Sequence, residues 1–596
     1  MWPTKPLLVS DRLADRIPFE RLQQTLKKHL KINSRVVYDS VGPADLRIRR
    51  DPAFQQAEAY HIKVTPEGIQ VTTGSDAGAY YAIHTLCDLA ILFGKALPVC
   101  RIEDSPDFKR RGIYLDCSRG KVPTLKTLKQ LVERLAHWKI NELQLYIENV
   151  FAFHRYPEIG KGYSPLTAGE ILSLQEHCRQ HHVRLVGSLA SFGHMEKILS
   201  LPAFQHLGEL PGYRGFPGGT CLCPTDPRSI RLMGELYEEL MPLLIDPNFN
   251  VCCDETWELG KGRSRHKAKR LGVGQIYLDF FLKIHRLCQK HGKRMNAWAD
   301  ILLTYPELWD QLPRDITLLN WEYEQNGPNI RRTQEISASG INVMVCPGTS
   351  SWLTHGSRIP NSMGNIKSFA RQGRKHGAEG MLITDWGDEG HRNFQGVSLH
   401  AFAYGAAHAW CGRKVNDKAF TENFCRLLFN QTDHHLAKAI TMLGNTYRKC
   451  GATAPNRSVL FDALYEPIPN HSAISPSPIA RLQDRGLKEI CDQLSDTSLW
   501  PSVQTNLPEF ERIALKELKL AAGMDLLAGK KALAVKQIRN GHYVKRNDLL
   551  KIARQMESIS KDFRRLWLLR NKPSRLSDNM RLFGKIQREM TALADK

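Results

Sequence analysis

Two adjacent carboxylates, Asp254 and Glu255, end an apolar run that begins at Phe249 and includes Cys252 and Cys253. A glycine-bearing loop, Thr256-Trp257-Glu258-Leu259-Gly260, follows them. Burying neighbouring carboxylates beside apolar residues is costly unless they are paired or do chemistry. Two acids at the mouth of a strand can divide the labour of splitting a glycosidic bond. The same residues also read as an acidic loop start that caps the next helix. This stretch alone leaves both readings open.

Such a pair needs elements that hold it. Between Arg110 and about Trp410 a strand–helix alternation repeats eight times. Strands are expected at 112–117, 142–148, 184–189, 249–253, 294–299, 317–321, 342–346 and 380–384. Each is short and mostly apolar, as strands covered on both faces should be. Helical spacing is expected at 125–138, 167–181, 229–244, 275–291, 306–312, 330–339, 365–376 and 397–410. Eight such units imply an α/β fold, a (β/α)8 TIM barrel, with its site at the C-terminal strand ends.

Those ends carry acids and aromatics. Asp116 and Arg119 follow the first strand, with Arg111 at its beginning, and Glu148-Asn149 close the second. Ser191-Phe192-Gly193-His194 follow the third and Asp254-Glu255 the fourth. Trp298-Ala299-Asp300 end the fifth, and Asn320-Trp321-Glu322-Tyr323 the sixth. Trp352 lies in the loop after the seventh, and Asp385-Trp386-Gly387-Asp388 end the eighth. Indoles interleaved with carboxylates suit a sugar: its C–H faces pack on the rings and its hydroxyls donate to the acids.

The flanks differ from this pattern. The chain has 596 residues, which divide into residues 1–108, 109–411 and 412–596. The first segment reads as a small α+β domain. Phe19, Leu22, Leu26 and Leu30 have helical spacing, 60–64 and 68–72 alternate like two strands of a hairpin, and 77–92 reads as a helix. The last segment is α-helical and basic, with helical apolar spacing at 479–494 and 507–527. It reads as a region that packs on the barrel or joins two subunits of a homo-oligomer. The net charge of +22 permits anionic partners. No zinc-finger spacing, RNP-like motif or phosphate-binding glycine loop accompanies it, so a solvated basic surface is the reading and no nucleic acid is expected. No apolar run is long enough for a bilayer, and no leader is visible at the start. The 14 cysteines are scattered and read as buried free thiols of a reducing, cytoplasmic setting. Cys221-Leu222-Cys223 lacks a second pair, so neither a metal nor another cofactor is expected.

Residues 55 to 410 resemble glycoside hydrolase family 20, the β-N-acetylhexosaminidases. The resemblance rests on Arg110-Arg111-Gly112-Ile113-Tyr114-Leu115-Asp116, Lys139-Ile140-Asn141, Phe192-Gly193-His194-Met195, Cys253-Asp254-Glu255-Thr256 and Asp385-Trp386-Gly387-Asp388. It implies an exo-acting retaining hydrolase in which the sugar's 2-acetamido oxygen attacks the anomeric carbon and forms an oxazolinium intermediate. Terminal β-linked GlcNAc or GalNAc of a glycan would be the substrate. The resemblance makes Glu255 the acid/base and Asp254 the residue that orients the amide. It assigns Arg111 to the sugar's outer hydroxyls and His194 to tuning the acid. Trp298, Trp321 and Trp386 become the walls, and Asp388 a hydroxyl acceptor in place of the usual glutamate. Glu148-Asn149 stand where the family commonly has two aspartates, which puts a hydroxyl or histidine contact on Glu148. The family's acetamide-binding tyrosine has no counterpart at Ser350-Ser351-Trp352, and Tyr323 is the available substitute. An adjacent Asp254 anion is expected to raise the pKa of Glu255. The barrel also admits a two-carboxylate glycosidase acting on plain sugars, or a silent carbohydrate-binding protein.

Overall fold

The computed structural model describes residues 2–467, 477–501 and 507–595. Its first layer is one mixed sheet with strand order β2-β1-β3-β5-β4-β6. The strands are β1 (Leu7–Ser10), β2 (Arg35–Tyr38), β3 (Leu46–Arg50), β4 (Tyr60–Thr65), β5 (Gly68–Thr73) and β6 (Cys100–Asp104). β4 and β5 form the expected antiparallel hairpin, with Ile62 opposite Val71. Both are buried, while Lys63 and Gln70 point to solvent, so the period of two separates core from surface. The helix Asp76–Phe93 covers this sheet and is capped by Ser75, whose side chain accepts from the Gly78 N–H. The expected amphipathic segment at 19–30 is the helix Arg16–Thr25 continued by a π turn, Leu26–Leu30. Phe19, Leu22, Leu26 and Leu30 are all buried.

Eight parallel strands then close a barrel: β7 (Arg110–Asp116), β8 (Glu142–Tyr146), β9 (Arg184–Ser188), β10 (Asn248–Asn250), β11 (Arg294–Trp298), β12 (Thr317–Trp321), β13 (Asn342–Cys346) and β14 (Gly380–Asp385). β14 pairs with β7 to complete the ring. The interior end facing away from the site is held by charge. Arg110 Nε donates to Glu142 at 2.8 Å, and Arg184 Nη2 donates to the same carboxylate at 2.8 Å. Burial alone would raise the Glu142 carboxyl, but these two guanidinium groups hold it at about 2.

The C-terminal region packs on the barrel. Its helices include Asp417–Phe429, His435–Lys449, Asp484–Ser495, Glu509–Arg539, Arg546–Arg570 and Leu576–Ala594. Glu517 accepts from Arg570 Nε at 2.9 Å and from the Gly396 N–H at 2.8 Å. The Arg570 carbonyl accepts the Thr124 N–H, and the Val122 carbonyl accepts the Lys572 N–H. Asn579 donates to the Gly390 carbonyl at 2.9 Å. His355, in the loop after β13, meets Asp525 at 2.7 Å. The region is therefore stitched to the loops that follow β7, β13 and β14. All fourteen cysteines are unpaired, eleven of them buried. Among the described residues no helix is long and apolar enough to cross a membrane.

Arg570 and Glu517 are each only 2% exposed, so removing one partner leaves a buried charge unmatched. Glu517→Ala is expected to cost about 3–5 kcal/mol of stability. Denaturant unfolding checks this, and a loss below about 1 kcal/mol would show that the C-terminal region is not held as described.

Candidate active site

The acidic pair sits on a strained turn. β10 ends at Asn250, three residues before the end of the expected strand at 253. Cys252 and Cys253 adopt left-handed backbone angles, φ 59° and 65°, and Glu255 does the same at φ 51°. Each such non-glycine residue costs about 1–2 kcal/mol. The gain is geometric. In a regular strand Asp254 and Glu255 would point to opposite faces, whereas this turn delivers both to one pocket. Surrounding bonds hold the turn. Asn250 Oδ1 accepts the Cys252 N–H at 2.9 Å, and the Cys253 carbonyl accepts the Tyr277 hydroxyl at 2.9 Å. The Glu255 N–H donates to Asp300 Oδ2 at 3.0 Å.

His194 bridges the pair. Its Nε2 lies 3.3 Å from Asp254 Oδ2 and 3.3 Å from Glu255 Oε2. The loop after β9 can come this close because residue 193 is glycine. A Cβ there would lie 2.2 Å from the Asp254 carbonyl oxygen. Burial opposes charge on His194, but Asp254 and the bonds to both carboxylates outweigh it and push its pKa well above the ordinary imidazole value. Burial likewise pushes Glu255 up, yet the His194 hydrogen bond and the charges of His194, Arg119 and Arg214 carry it below its ordinary value. The expected rise in the Glu255 pKa is thus reversed, because the cations beside it exceed the effect of its anionic neighbour. Asp300 moves the other way: burial and then the Asp254 charge raise it well above the usual carboxylate range.

Arg119 and Asp388 close the pocket opposite. Arg119 pairs with Asp116 at 3.3 Å and Glu148 at 3.2 Å, and its guanidinium lies over the rings of Tyr146 and Trp386. Burial raises the Asp388 carboxyl to about 6 despite Arg119 nearby. Glu148 lies behind this layer, bonded to Lys197 and to the Tyr146 hydroxyl. Burial is overcome there by Lys197 and Arg119, which hold its carboxyl at about 2. Glu148 thus braces Arg119 and does not line the pocket.

Arg111 is the clear correction. It stands at the N-terminal end of β7, at the opposite end of the barrel from the acidic pair. There it donates to Glu58 of the first domain at 2.7 and 3.0 Å and to the carbonyls of Phe108 and Lys139. Its guanidinium lies 5.0 Å from the Trp410 ring. A strand that begins with an arginine presents it at the bottom of the barrel, so the cation near the acids is Arg119, three residues past the other end.

The walls are aromatic. Arg119, His194, Asp254, Glu255, Trp298, Trp321, Tyr323, Trp352, Trp386, Asp388 and Asn456 together line one pocket. Trp321 stacks on Tyr323 at 5.1 Å, and the Trp386 indole donates to the Tyr323 hydroxyl at 2.8 Å. Trp298 meets Tyr114 edge-on at 5.1 Å. Asp254 Oδ1 and Trp298 Nε1 are buried and have no hydrogen-bond partner among the described residues. An acceptor and a donor left unpaired beside one apolar wall are what an amide-bearing ligand would satisfy. Arg119, Asp300 and Trp352 stood on the rim read from the sequence, but only the fold gives them these contacts. Asn456 carried no sequence signal, since it lies beyond the eight alternations.

Comparisons with known proteins concern the family and the fold. The family profile "Glycosyl hydrolase family 20, catalytic domain" matches residues 108–400, and "Glycosyl hydrolase family 20, domain 2" matches residues 3–105. A beta-hexosaminidase of Vibrio furnissii is 25% identical over 351 residues, which are 52% of this chain and 55% of that protein. Human hexosaminidase D is 25% identical over 233 residues, 37% of this chain and 46% of that one. The chain spans about half the length of these curated relatives. Among solved structures, a Flavobacterium johnsoniae chitobiase superimposes with a TM-score of 0.60 at 18% identity, covering 94% of this chain and 95% of that one. This last likeness concerns the fold.

The close approach at residue 193 predicts that Gly193→Ala lowers the melting temperature. Gly169→Ala is the control, because nothing lies within 4 Å of its added carbon, and it is expected to leave the melting temperature unchanged or raised. Equal melting temperatures for both variants would contradict the described contact between the two loops.

Proposed function

The chain belongs to glycosyl hydrolase family 20, and from that premise we propose that it is an exo-β-N-acetylhexosaminidase acting on terminal β-linked GlcNAc or GalNAc of a glycan. The observation that carries the reading is the bridged pair: two neighbouring carboxylates on one imidazole nitrogen, with the unpaired Asp254 oxygen beside a wall of indoles.

The chemistry follows from those positions. Glu255 gives a proton to the glycosidic oxygen as that bond to the anomeric carbon breaks. The substrate's acetamide oxygen forms the new bond to the same carbon, giving the oxazolinium ion. Asp254 Oδ1 accepts the amide N–H and offsets the positive charge that develops on the amide. Glu255, now ionised, takes a proton from water as the water oxygen attacks the anomeric carbon and opens the ring. Two displacements leave the configuration retained.

His194 holds the proton that Glu255 needs. The contact from Nε2 to Glu255 Oε2 is the route by which it returns. Trp298, Trp321, Trp352 and Trp386 pack against the sugar's apolar C–H faces. Arg119 and Asp388 meet hydroxyls away from the leaving oxygen, Arg119 by charge-assisted donation. A covalent two-carboxylate mechanism needs its acids on either side of the anomeric carbon. Here Asp254 keeps a buried oxygen without a partner beside Trp298, a place for an amide N–H, which favours substrate assistance.

An aryl 2-acetamido-2-deoxy-β-glucoside is expected to be cleaved while the matching plain β-glucoside is not. Glu255→Gln should lower kcat about 10²–10⁴-fold with little change in KM. Equal cleavage of the two glycosides would overturn the substrate-assisted step, and full activity in Glu255→Gln would overturn the acid. The raised Asp388 carboxyl gives a pH test. It is protonated below about 6 and becomes a full acceptor only above it, so kcat/KM should climb as pH rises through about 6. Asp388→Asn is expected to remove that step from the profile.

A further inference from the structure

We propose that the hairpin at 453–458 in the C-terminal region is a built part of the sugar site, with Asn456 as a specificity residue that hydrogen-bonds a sugar hydroxyl on the side away from Glu255. The proposal rests on the sugar-binding reading of the pocket and adds a residue from outside the family-matched segments, which end at 400.

The position is constructed with care. Two short strands, β15 (Thr453–Ala454) and β16 (Arg457–Ser458), pair antiparallel around Pro455-Asn456. Proline presets the first turn position. Asn456 sits at φ 59°, a left-handed angle that asparagine tolerates better than most residues. The turn thereby places Asn456 in the lining of the pocket, with Arg119, Asp388 and the indoles.

Three loops of the catalytic face hold the hairpin. The Asn456 N–H donates to Glu324 Oε1 at 2.9 Å, in the loop after β12. The Ser458 N–H donates to the carbonyl of Leu353, next to the wall residue Trp352, at 2.9 Å. Arg457 donates to Glu389 at 2.9 Å, directly after Asp388, and pairs with Asp462 at 3.1 Å. Glu324 is itself fixed by Arg358 at 2.9 Å. A hairpin tied to the loops after β12, β13 and β14 stands across the barrel mouth from β9 and β10, which carry His194 and Glu255. What it touches is therefore the part of the sugar remote from the leaving oxygen.

The side chain itself points to a ligand. Asn456 Oδ1 is buried and has no hydrogen-bond partner among the described residues. A buried, unpaired amide oxygen is satisfied by a group that donates, and a ring hydroxyl is the donor a sugar offers. The contact reads the presence and direction of that hydroxyl, so Asn456 contributes to the choice between epimers and not to the bond-breaking step.

The test uses the full chain and Asn456→Gly, which keeps the left-handed turn and removes only the amide. Turnover is measured on aryl 2-acetamido glycosides of the gluco and galacto series and on their 4-deoxy and 6-deoxy analogues. Sugar binding is followed separately by the fluorescence of the pocket tryptophans with free N-acetylglucosamine and N-acetylgalactosamine. The expected result is a KM raised about 5- to 30-fold for one epimer with kcat little changed. For the deoxy sugar that lacks the recognised hydroxyl, variant and unaltered protein should converge. A uniform loss across every sugar, or none, overturns the role of Asn456 while leaving the hexosaminidase reading intact. Turnover confined to plain glycosides defeats the hexosaminidase reading alone, and the binding measurement still decides on Asn456. Absence of sugar binding by the unaltered protein overturns both.

Discussion

Two neighbouring carboxylates can share a buried pocket only if one holds a proton or a cation offsets their charge. Charges about 4 Å apart interact by about 4 kcal/mol at an effective dielectric near 20, so the repulsion is comparable to much of a domain's net stability. His194 resolves it by touching both. Much of the neighbourhood serves that contact. Gly193 lets the histidine loop reach the Asp254 carbonyl. The left-handed residues 252, 253 and 255 swing both acids to the imidazole. Glu148 adds a negative charge behind His194 and also fixes Arg119, which supplies a second cation. Asp300, its own carboxyl pushed up by burial and Asp254, holds the Glu255 backbone without adding a full charge at neutral pH.

The C-terminal region extends the same logic outward. Its basic composition does not all lie at the surface. Lys531 is buried and donates to the carbonyls of Ala463, Leu464 and Glu466, closing the end of the short helix Val459–Tyr465. Burial lowers its pKa to about 7. Lys121 donates to the Asn393 carbonyl and lies near the rings of Phe394 and Trp567, and burial lowers it to about 7 as well. Lys531 thus joins two helices of the C-terminal region, and the barrel residue Lys121 joins the loops after β7 and β14 beside Trp567, uses that net charge cannot reveal. Because the joined loops are those after β7, β13 and β14, the region braces the site's outer wall.

The barrel was legible because its signal is periodic. Eight apolar runs separated by amphipathic segments admit few other folds, and every strand was found within a few residues of its expected place. Indoles and acids at the strand ends were legible for the same reason: register fixes which end faces the site. What the sequence concealed depends on distance in space. Arg111 is a partial exception: its place at the beginning of β7 already argued for the barrel bottom, and the pair with Glu58 that holds it there became visible only in the fold, as did the pocket position of Arg119. Neighbour charge gave the wrong sign for Glu255, since Arg119, Arg214 and His194 reach it from other loops. Asn456 had no pattern at all, being placed by a hairpin whose anchors come from three separate strands.

In the proposed mechanism the lowered Glu255 carboxyl and the raised His194 imidazole set where the shared proton rests before substrate arrives. Between them the pair holds one proton, and it resides on the imidazole side of the 3.3 Å contact. When a sugar fills the pocket, water leaves, and separated charges become costlier in the drier surroundings. Moving the proton to Glu255 neutralises both partners, so desolvation drives the acid into its working form. The proton then departs with the leaving group. In that mechanism the site is left one charge more negative as the acetamide acquires positive charge, which the unpaired Asp254 oxygen would offset. In the proposed reaction a single imidazole between two carboxylates thus offsets their repulsion, stores the proton that Glu255 delivers and times the appearance of the counter-charge. On that reading Glu255 needs no elevated pKa of its own before substrate arrives.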